Sequence, residues 1–318
     1  MNNRSNAFVS VVMPAYNVEN YIAEAIESIC NQTYEDFEFI IVDDGSTYST
    51  ADIIRNYAKQ DRRIRPIFAD HTRAPNAGNI GVCAAQGQWI ARMDADDISL
   101  PHRLEIQLDW IQSNNLDICG CIVQTKGLRD DIFWYPEKQD AIRREFLFRV
   151  GLLQPTVMMK AELLKENPFN GLTYFEDYEI LTRLAPRFIM GNIQEVLVYY
   201  RCHDEQSHVV LSKQFQSDFQ KYRFRYFYTL YPNTPLPDYL TLARISDKQP
   251  MTNLRELQRA GQWLVEMANQ PDLKLRQRMA DRWKETCERS KALGDEWESV
   301  YQEFKPLIER NEMTDKSI

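Results

Sequence analysis

Two hydrophobic periods alternate along the chain up to about Arg201. Short β-branched runs give way to stretches in which apolar residues recur at helical spacing. Residues 8–13 read as a strand stopped by Pro14, and 18–31 as a helix carrying Ile22, Ala25, Ile26 and Ile29 on one face. The pattern then repeats. Strands are predicted at 37–42, 64–68 and 88–93, with helices running to about Gln60, over 76–86, and from Pro101, a residue suited to a first helical turn. Later strands are predicted at 117–124, 156–160 and 195–201, and helices at 139–150 and 176–184. Strands alternating with helices predict an α/β domain built on a mostly parallel sheet. Beyond about Leu211 the strand-like runs vanish, and Pro232, Pro235 and Pro237 divide a charged helical remainder. The predicted boundary lies near His208, giving domains 1–208 and 209–318, and 312–318 read as a frayed end.

Composition agrees with a folded two-part chain. Its 318 residues are 44% hydrophobic and 12% aromatic, enough for a full core and a smaller second domain. No apolar stretch approaches the roughly 20 residues that span a bilayer. The polar start, 1–7, runs straight into a strand, which leaves no room for a signal peptide and predicts a protein that is not exported. Cysteines at 30, 83, 119, 121, 202 and 287 show no zinc-type or disulfide-framework spacing, so reduced thiols in a cytoplasmic protein are expected. A formal net charge of -8 argues against a general nucleic-acid binder.

Acidic residues collect where strands end. Asp43 and Asp44 follow the second predicted strand, and Asp94, Asp96 and Asp97 follow the fourth, the end of an open α/β sheet at which ligands bind. Single aspartates there also suit helix N-caps, a reading that fits Asp97. Asp94 and Asp96 together are better explained by a cation, because adjacent like charges are costly unless offset. Magnesium or manganese prefers such oxygen ligands together with substrate phosphates. Neither Gly-x-Gly-x-x-Gly nor a P-loop is present, so phosphates are expected to be handled through the metal.

Four motifs in order carry a family resemblance: Val11-Val12-Met13-Pro14-Ala15-Tyr16-Asn17, Val42-Asp43-Asp44-Gly45-Ser46, Ala91-Arg92-Met93-Asp94-Ala95-Asp96-Asp97 and Phe175-Glu176-Asp177-Tyr178-Glu179. Over about 8–207 the chain resembles glycosyltransferase family 2, inverting enzymes of GT-A fold. The resemblance implies a sugar transferred from a nucleotide diphosphate donor, a UDP-sugar first, to a hydroxyl on a saccharide or lipid-linked saccharide in bacterial polysaccharide or glycolipid assembly. It implies that Pro14, Ala15 and Tyr16 line the base and that Asp44 bonds its imide. It makes Asp94-Ala95-Asp96 the Asp-x-Asp motif, with Asp96 the direct ligand of Mn2+ or Mg2+ and Asp94 facing the ribose or a metal-bound water. Asp177 matches the catalytic base, and His203 a further metal ligand.

Other roles stay open for several of these residues. Tyr16 also suits a core aromatic, Glu176 and Asp177 also suit the positive end of a helix, and Arg201 is either structural or faces the diphosphate. One departure is plain: where relatives often read Ala-Arg-Asn-x-Gly, this chain reads Ala77-Gly78-Asn79-Ile80-Gly81. Asn79 keeps its place among the expected donor contacts. The arginine does not, and Arg73 is a candidate to supply its charge. In the C-terminal region, 221–231 interleaves bases with aromatics, which suits either packing inside a helical unit or a membrane surface. That region is expected to serve acceptor, membrane-surface or oligomer contacts. A non-catalytic nucleotide-sugar binder and a nucleotidyltransferase are the competing readings.

Overall fold

The computed structural model describes residues 8–204, 212–269 and 272–309; the boundary expected at His208 and the frayed end expected at 312–318 lie outside the described residues. In chain order the strands are β1 (Val9–Ala15), β2 (Phe37–Asp43), β3 (Ile64–Phe68), β4 (Trp89–Arg92), β5 (Ile98–Ser99), β6 (Ile118–Gly127), β7 (Ile132–Phe133), β8 (Met158–Lys160) and β9 (Met190–Cys202). Among the described residues they form one 9-stranded sheet in the order β3-β2-β1-β4-β8-β6-β9-β5, with β7 paired to β6. The helices between them are α1 (Ile22–Cys30), α2 (Thr50–Ala58), α3 (Ala74–Ala84), α4 (Arg103–Asn114), α5 (Gln139–Glu145), α6 (Ala161–Glu166) and α7 (Glu176–Leu184). After them come α8 (Ser212–Leu230), α9 (Leu236–Ser246), α10 (Leu254–Ala268), α11 (Leu273–Arg289) and α12 (Glu296–Glu309).

The first half of the sheet is parallel, as the alternation of strands and helices requires. The second half mixes directions: β8 runs antiparallel to both β4 and β6, β6 runs parallel to β9, and β5 and β7 are antiparallel additions. A strand covered on both faces needs apolar side chains on both, and β2 is buried along its whole length.

Pro14 does not stop β1, which continues to Ala15. The reason is local. Val12 O accepts from Met93 N on the β4 side and Ala15 O accepts from Asp44 N on the β2 side, so Pro14 faces the β4 side where that strand has already ended. Its missing N–H therefore costs no ladder bond. Helix α3 lies close on the sheet because position 81 is glycine: a Cβ there would stand 2.5 Å from Val12 Cγ1.

The chain divides into two compact units. One comprises residues up to Tyr135 with Leu152–Phe219; the other comprises Pro136–Gly151 with the chain from Gln220 on. Contacts thus place the division inside α8 rather than near His208, and give the predicted 139–150 helix to the helical unit. The polar bonds of that segment explain why. Fully buried Glu145 pairs with Arg149 and lies 3.5 Å from Arg278, Arg144 donates to Glu266 O at 2.8 Å, and Tyr226 OH donates to Arg143 O at 3.0 Å.

Within the helical unit the aromatic-basic segment buries three of its six rings. Tyr222, Tyr226 and Phe227 are buried, and Phe227 packs on Tyr239 and Trp263. Lys221, Phe224 and Arg225 stay exposed. Among the described residues no helix is long and apolar enough to cross a membrane.

Candidate active site

Parallel β1 and β2 end together and β4 ends beside them a little earlier, so the turns that follow them share one edge of the sheet. Asp43 and Asp44 arrive on β2, and 94–97 arrive on β4. The two-residue strand β5 then pairs Ile98 with Tyr199 and Ser99 with Val198, pinning the acidic turn against the end of β9. The contacts that result are specific. Arg201 N–H donates to Asp97 Oδ1 at 2.9 Å, Arg201 Nε donates to Asp96 O at 2.7 Å, and His203 Nε2 sits 3.0 Å from Asp96 Oδ2. Tyr21, at the entrance to α1, stacks on His203 with ring centroids 4.6 Å apart, and Glu24 pairs with Arg201 at 2.6 Å. Neither Tyr21 nor Glu24 stands out in the sequence.

Asp177 enters from the first turn of α7. Its approach is anchored by Asp218, whose Oδ2 accepts from Thr173 OH and Tyr174 N–H, both at 2.6 Å, and by Phe175 packing on Tyr178 and Phe219. Burial raises the Asp177 carboxyl to about 7 even though Tyr178 N–H donates to it at 2.7 Å, and the charge of Asp94 adds to the rise. Burial likewise lifts Asp94 to about 6 and Glu176 to about 8, with Asp96 adding to the first and Asp177 to the second. Asp97, fully buried, is pushed well up by desolvation and by Asp96 and Asp94. The acids of the third and fourth motifs therefore form one electrostatic cluster.

The residues expected at the nucleotide base lie apart from this cluster, along the ends of β1 and β2. Tyr16 is 42% exposed and carries His71 stacked on it at 4.2 Å, so it is an open aromatic platform rather than a core ring. Pro14 is half-buried, while Ala15 and Ala95 are buried and offer a ligand only their backbone. Asp44 is 2% exposed: its Oδ1 accepts from Thr72 N–H at 2.8 Å and Thr72 OH at 2.9 Å, and its Oδ2 lies 3.0 Å from His71. Before it could bond a base, the loop holding His71 would have to yield. Asn79 uses both ends of its amide on the backbone of Phe169, at 2.8 and 2.9 Å, and so clamps that loop. Arg73, the candidate for the absent arginine, donates to Gly171 O at 2.8 Å.

The donor set suits a divalent ion of the magnesium or manganese type. Asp96 and His203 converge, and Asp97 Oδ2 is buried with no hydrogen-bond partner among the described residues. Among the described residues there is no group of three or more side chains that alone could hold a metal. A site of two protein groups completed by phosphate oxygens fits that pattern.

Comparison with known proteins agrees with the geometry. The model of "Glycosyl transferase family 2" matches residues 10–170. The chain is 35% identical to an uncharacterized glycosyltransferase of Haemophilus influenzae over 63% of this chain and 67% of that one. It is 31% identical to the O-antigen biosynthesis glycosyltransferase WbnJ of Escherichia coli over 63% of this chain and 81% of that one. Among solved structures, TarS of S. aureus superposes with TM-score 0.59 at 17% identity, covering 95% of this chain and 90% of that one. The mannosyltransferase PcManGT of Pyrobaculum calidifontis, in complex with GDP-Man and Mn2+, superposes with TM-score 0.56 at 16% identity, covering 97% and 88%. The mixed sheet flanked by helices is thus the GT-A fold, and the chain belongs to glycosyltransferase family 2.

Proposed function

We propose that this chain is an inverting, metal-dependent glycosyltransferase that moves a sugar from a UDP-sugar to a hydroxyl of a saccharide or lipid-linked saccharide in bacterial surface-polysaccharide assembly. The observation that carries the reading is the meeting, at one sheet edge, of the Asp96–His203 pair with the acid cluster of Asp94 and Asp177. Asp96 and His203 would hold a Mn2+ or Mg2+ ion, whose chemistry is to neutralise charge on the departing diphosphate.

The chain's own groups do the rest. Asp177 accepts the proton of the acceptor hydroxyl as that oxygen attacks the anomeric carbon from the side opposite the diphosphate. The new carbon–oxygen bond forms, the bond to the diphosphate oxygen breaks, and the configuration inverts without a sugar-enzyme bond. Asp94 orients the donor beside the base, and Tyr16 offers its open face to a pyrimidine. Support for a uracil nucleotide comes from TarS, solved with UDP and with UDP-GlcNAc, and support for a divalent ion from the Mn2+ complex of PcManGT. The O-antigen role of WbnJ supports the polysaccharide setting.

The test is a screen of nucleotide sugars for Mn2+-dependent transfer, with the phosphate product identified. Release of the nucleoside diphosphate is expected. Release of pyrophosphate would make the protein a nucleotidyltransferase, and thermal stabilisation without turnover would make it a binding protein.

A further inference from the structure

Arg92 is a buried cation beside Asp94. It lies on β4 two residues before Asp94 and is 3% exposed. Its Nη1 donates to Val12 O at 3.1 Å, its Nη2 lies 3.7 Å from Asp94 Oδ1, and its guanidinium stands 5.4 Å from the ring centre of Phe169. Its Nε is buried with no hydrogen-bond partner among the described residues. A buried guanidinium with incomplete hydrogen bonding is costly, and the neighbouring negative charge is what can hold it there.

Gly78 looks onto the same spot. A Cβ at position 78 would lie 3.4 Å from Phe169 Cδ2 and 4.0 Å from Arg92 Nη1, with nothing closer. A Cβ at 78 would therefore meet only ordinary contacts, and one of them is the Arg92 guanidinium. Position 78 is also the place at which the Ala-Arg-Asn-x-Gly pattern would put an arginine and this chain does not.

We propose that Arg92 delivers from β4 the positive charge that this chain lacks at position 78, and that it acts as the positioning residue for Asp94. This deepens the glycosyltransferase reading and rests on it.

The other nearby cations are committed elsewhere. Arg73 is tied to Gly171 O and lies 5.4 Å from the ring centre of Tyr174. Arg201 pairs with Glu24. Arg103, fully buried, donates to Gln107 Oε1 at 2.9 Å and to Arg92 O at 2.7 Å, so it braces the strand that carries Arg92. Arg92 is the cation that stands beside Asp94, with Nη2 3.7 Å from Asp94 Oδ1. Its side chain is too buried to grip a ligand directly, so its influence passes through the Asp94 carboxylate.

The experiment is a charge transplant. Four variants, R92M, R92K, G78R and R92M/G78R, are compared with the wild type for UDP affinity by calorimetry and for transfer, kcat and KM measured separately. R92M should weaken UDP binding at least about tenfold and lower kcat further, the scale on which groups supporting a site's ligands act. R92K should recover part of both. G78R alone should impair the enzyme, because two guanidiniums would compete for one place. In R92M/G78R the two changes should compensate, giving a strongly non-additive cycle. Circular dichroism and Tm show whether each variant is folded; if R92M is not, R92K and G78R in the R92K background carry the same comparison. Wild-type affinity and kcat in R92M would overturn the inference while leaving the glycosyltransferase reading intact. So would a loss, in folded protein, that neither lysine at 92 nor arginine at 78 recovers, since that marks a packing role. If the wild type binds no nucleoside diphosphate at all, both readings fall.

Discussion

His203 Nε2 lies 3.0 Å from Asp96 Oδ2 although 107 positions separate them in sequence. The distance is closed by β5, which pairs the residues just after the acidic turn with the last strand of the sheet. An imidazole nitrogen and a carboxylate oxygen so placed can turn to a shared cation with little rearrangement.

Replacing His203 by alanine should therefore raise the Mn2+ concentration needed for half-maximal transfer by at least about tenfold, with D96N more severe. Titration of activity and of binding heat with Mn2+ checks this. A metal response unchanged in H203A would remove His203 from the metal site and leave it a structural neighbour of Tyr21 and Asp96.

The pH dependence of turnover should report the raised carboxyls. A general base works only when ionised, and burial holds Asp177 at about 7, so kcat/KM should climb with pH up to that region instead of levelling off near the ordinary carboxylate value of about 4. D177N should lower kcat by about 10²–10⁴-fold at every pH while sparing UDP binding. Retained turnover in D177N would assign proton removal to another group.

Much of this was legible in the sequence because the chemistry sits at strand ends, and strand ends are marked by a break in hydrophobic period followed by acids. Asp94 and Asp96 are of that kind, whereas Asp177 sits in the first turn of α7 and was marked by its motif. What escaped is what long-range pairing creates. Strand β5 is two residues long, too short to show any period, yet it brings β9 to the acidic turn. Tyr21 and Glu24 look like ordinary residues beside or on a helix and gain meaning only against His203 and Arg201. Asp44 gains its surroundings in the same way. Its motif marks it as a base contact, and the structure finds its carboxylate already bonded to Thr72 and facing His71. Arg92 did leave a signal, a lone cation inside the apolar run Trp89-Ile90-Ala91-Arg92-Met93, which only a buried negative partner can justify.

The helical unit should depend on Glu145. Its side chain is fully buried between Arg149 and Arg278, and removing one partner of a buried ion pair leaves the others uncompensated. E145A should cost about 3–5 kcal/mol, reduced to the extent that water reaches the partly exposed arginines. Urea denaturation followed by tryptophan fluorescence, which includes buried Trp263 and Trp283, measures it. A loss below about 1 kcal/mol would show that solvent already screens the pair.

The metal-free protein should become less stable as pH rises, and Mn2+ should reverse the trend. Unfolded carboxyls titrate near 4, whereas burial places Asp94 at about 6, Asp177 at about 7 and Glu176 at about 8. Between those limits the folded state binds protons that the unfolded chain has released, so unfolding free energy falls with increasing pH. The contribution is present in full below about 4 and is lost as pH passes through the folded values up to about 8. A cation binds the ionised form, so its stabilisation grows over the same window. Tm measured from pH 5 to pH 8 should thus decline without metal, and the upward shift on adding Mn2+ should be larger at pH 8 than at pH 5. In D94N/D177N the slope should flatten, because two of the groups responsible no longer ionise. A Tm that rises with pH in the metal-free wild type would mean that the three half-buried carboxyls are ionised in the folded protein well below pH 6, with solvent and hydrogen bonds outweighing desolvation.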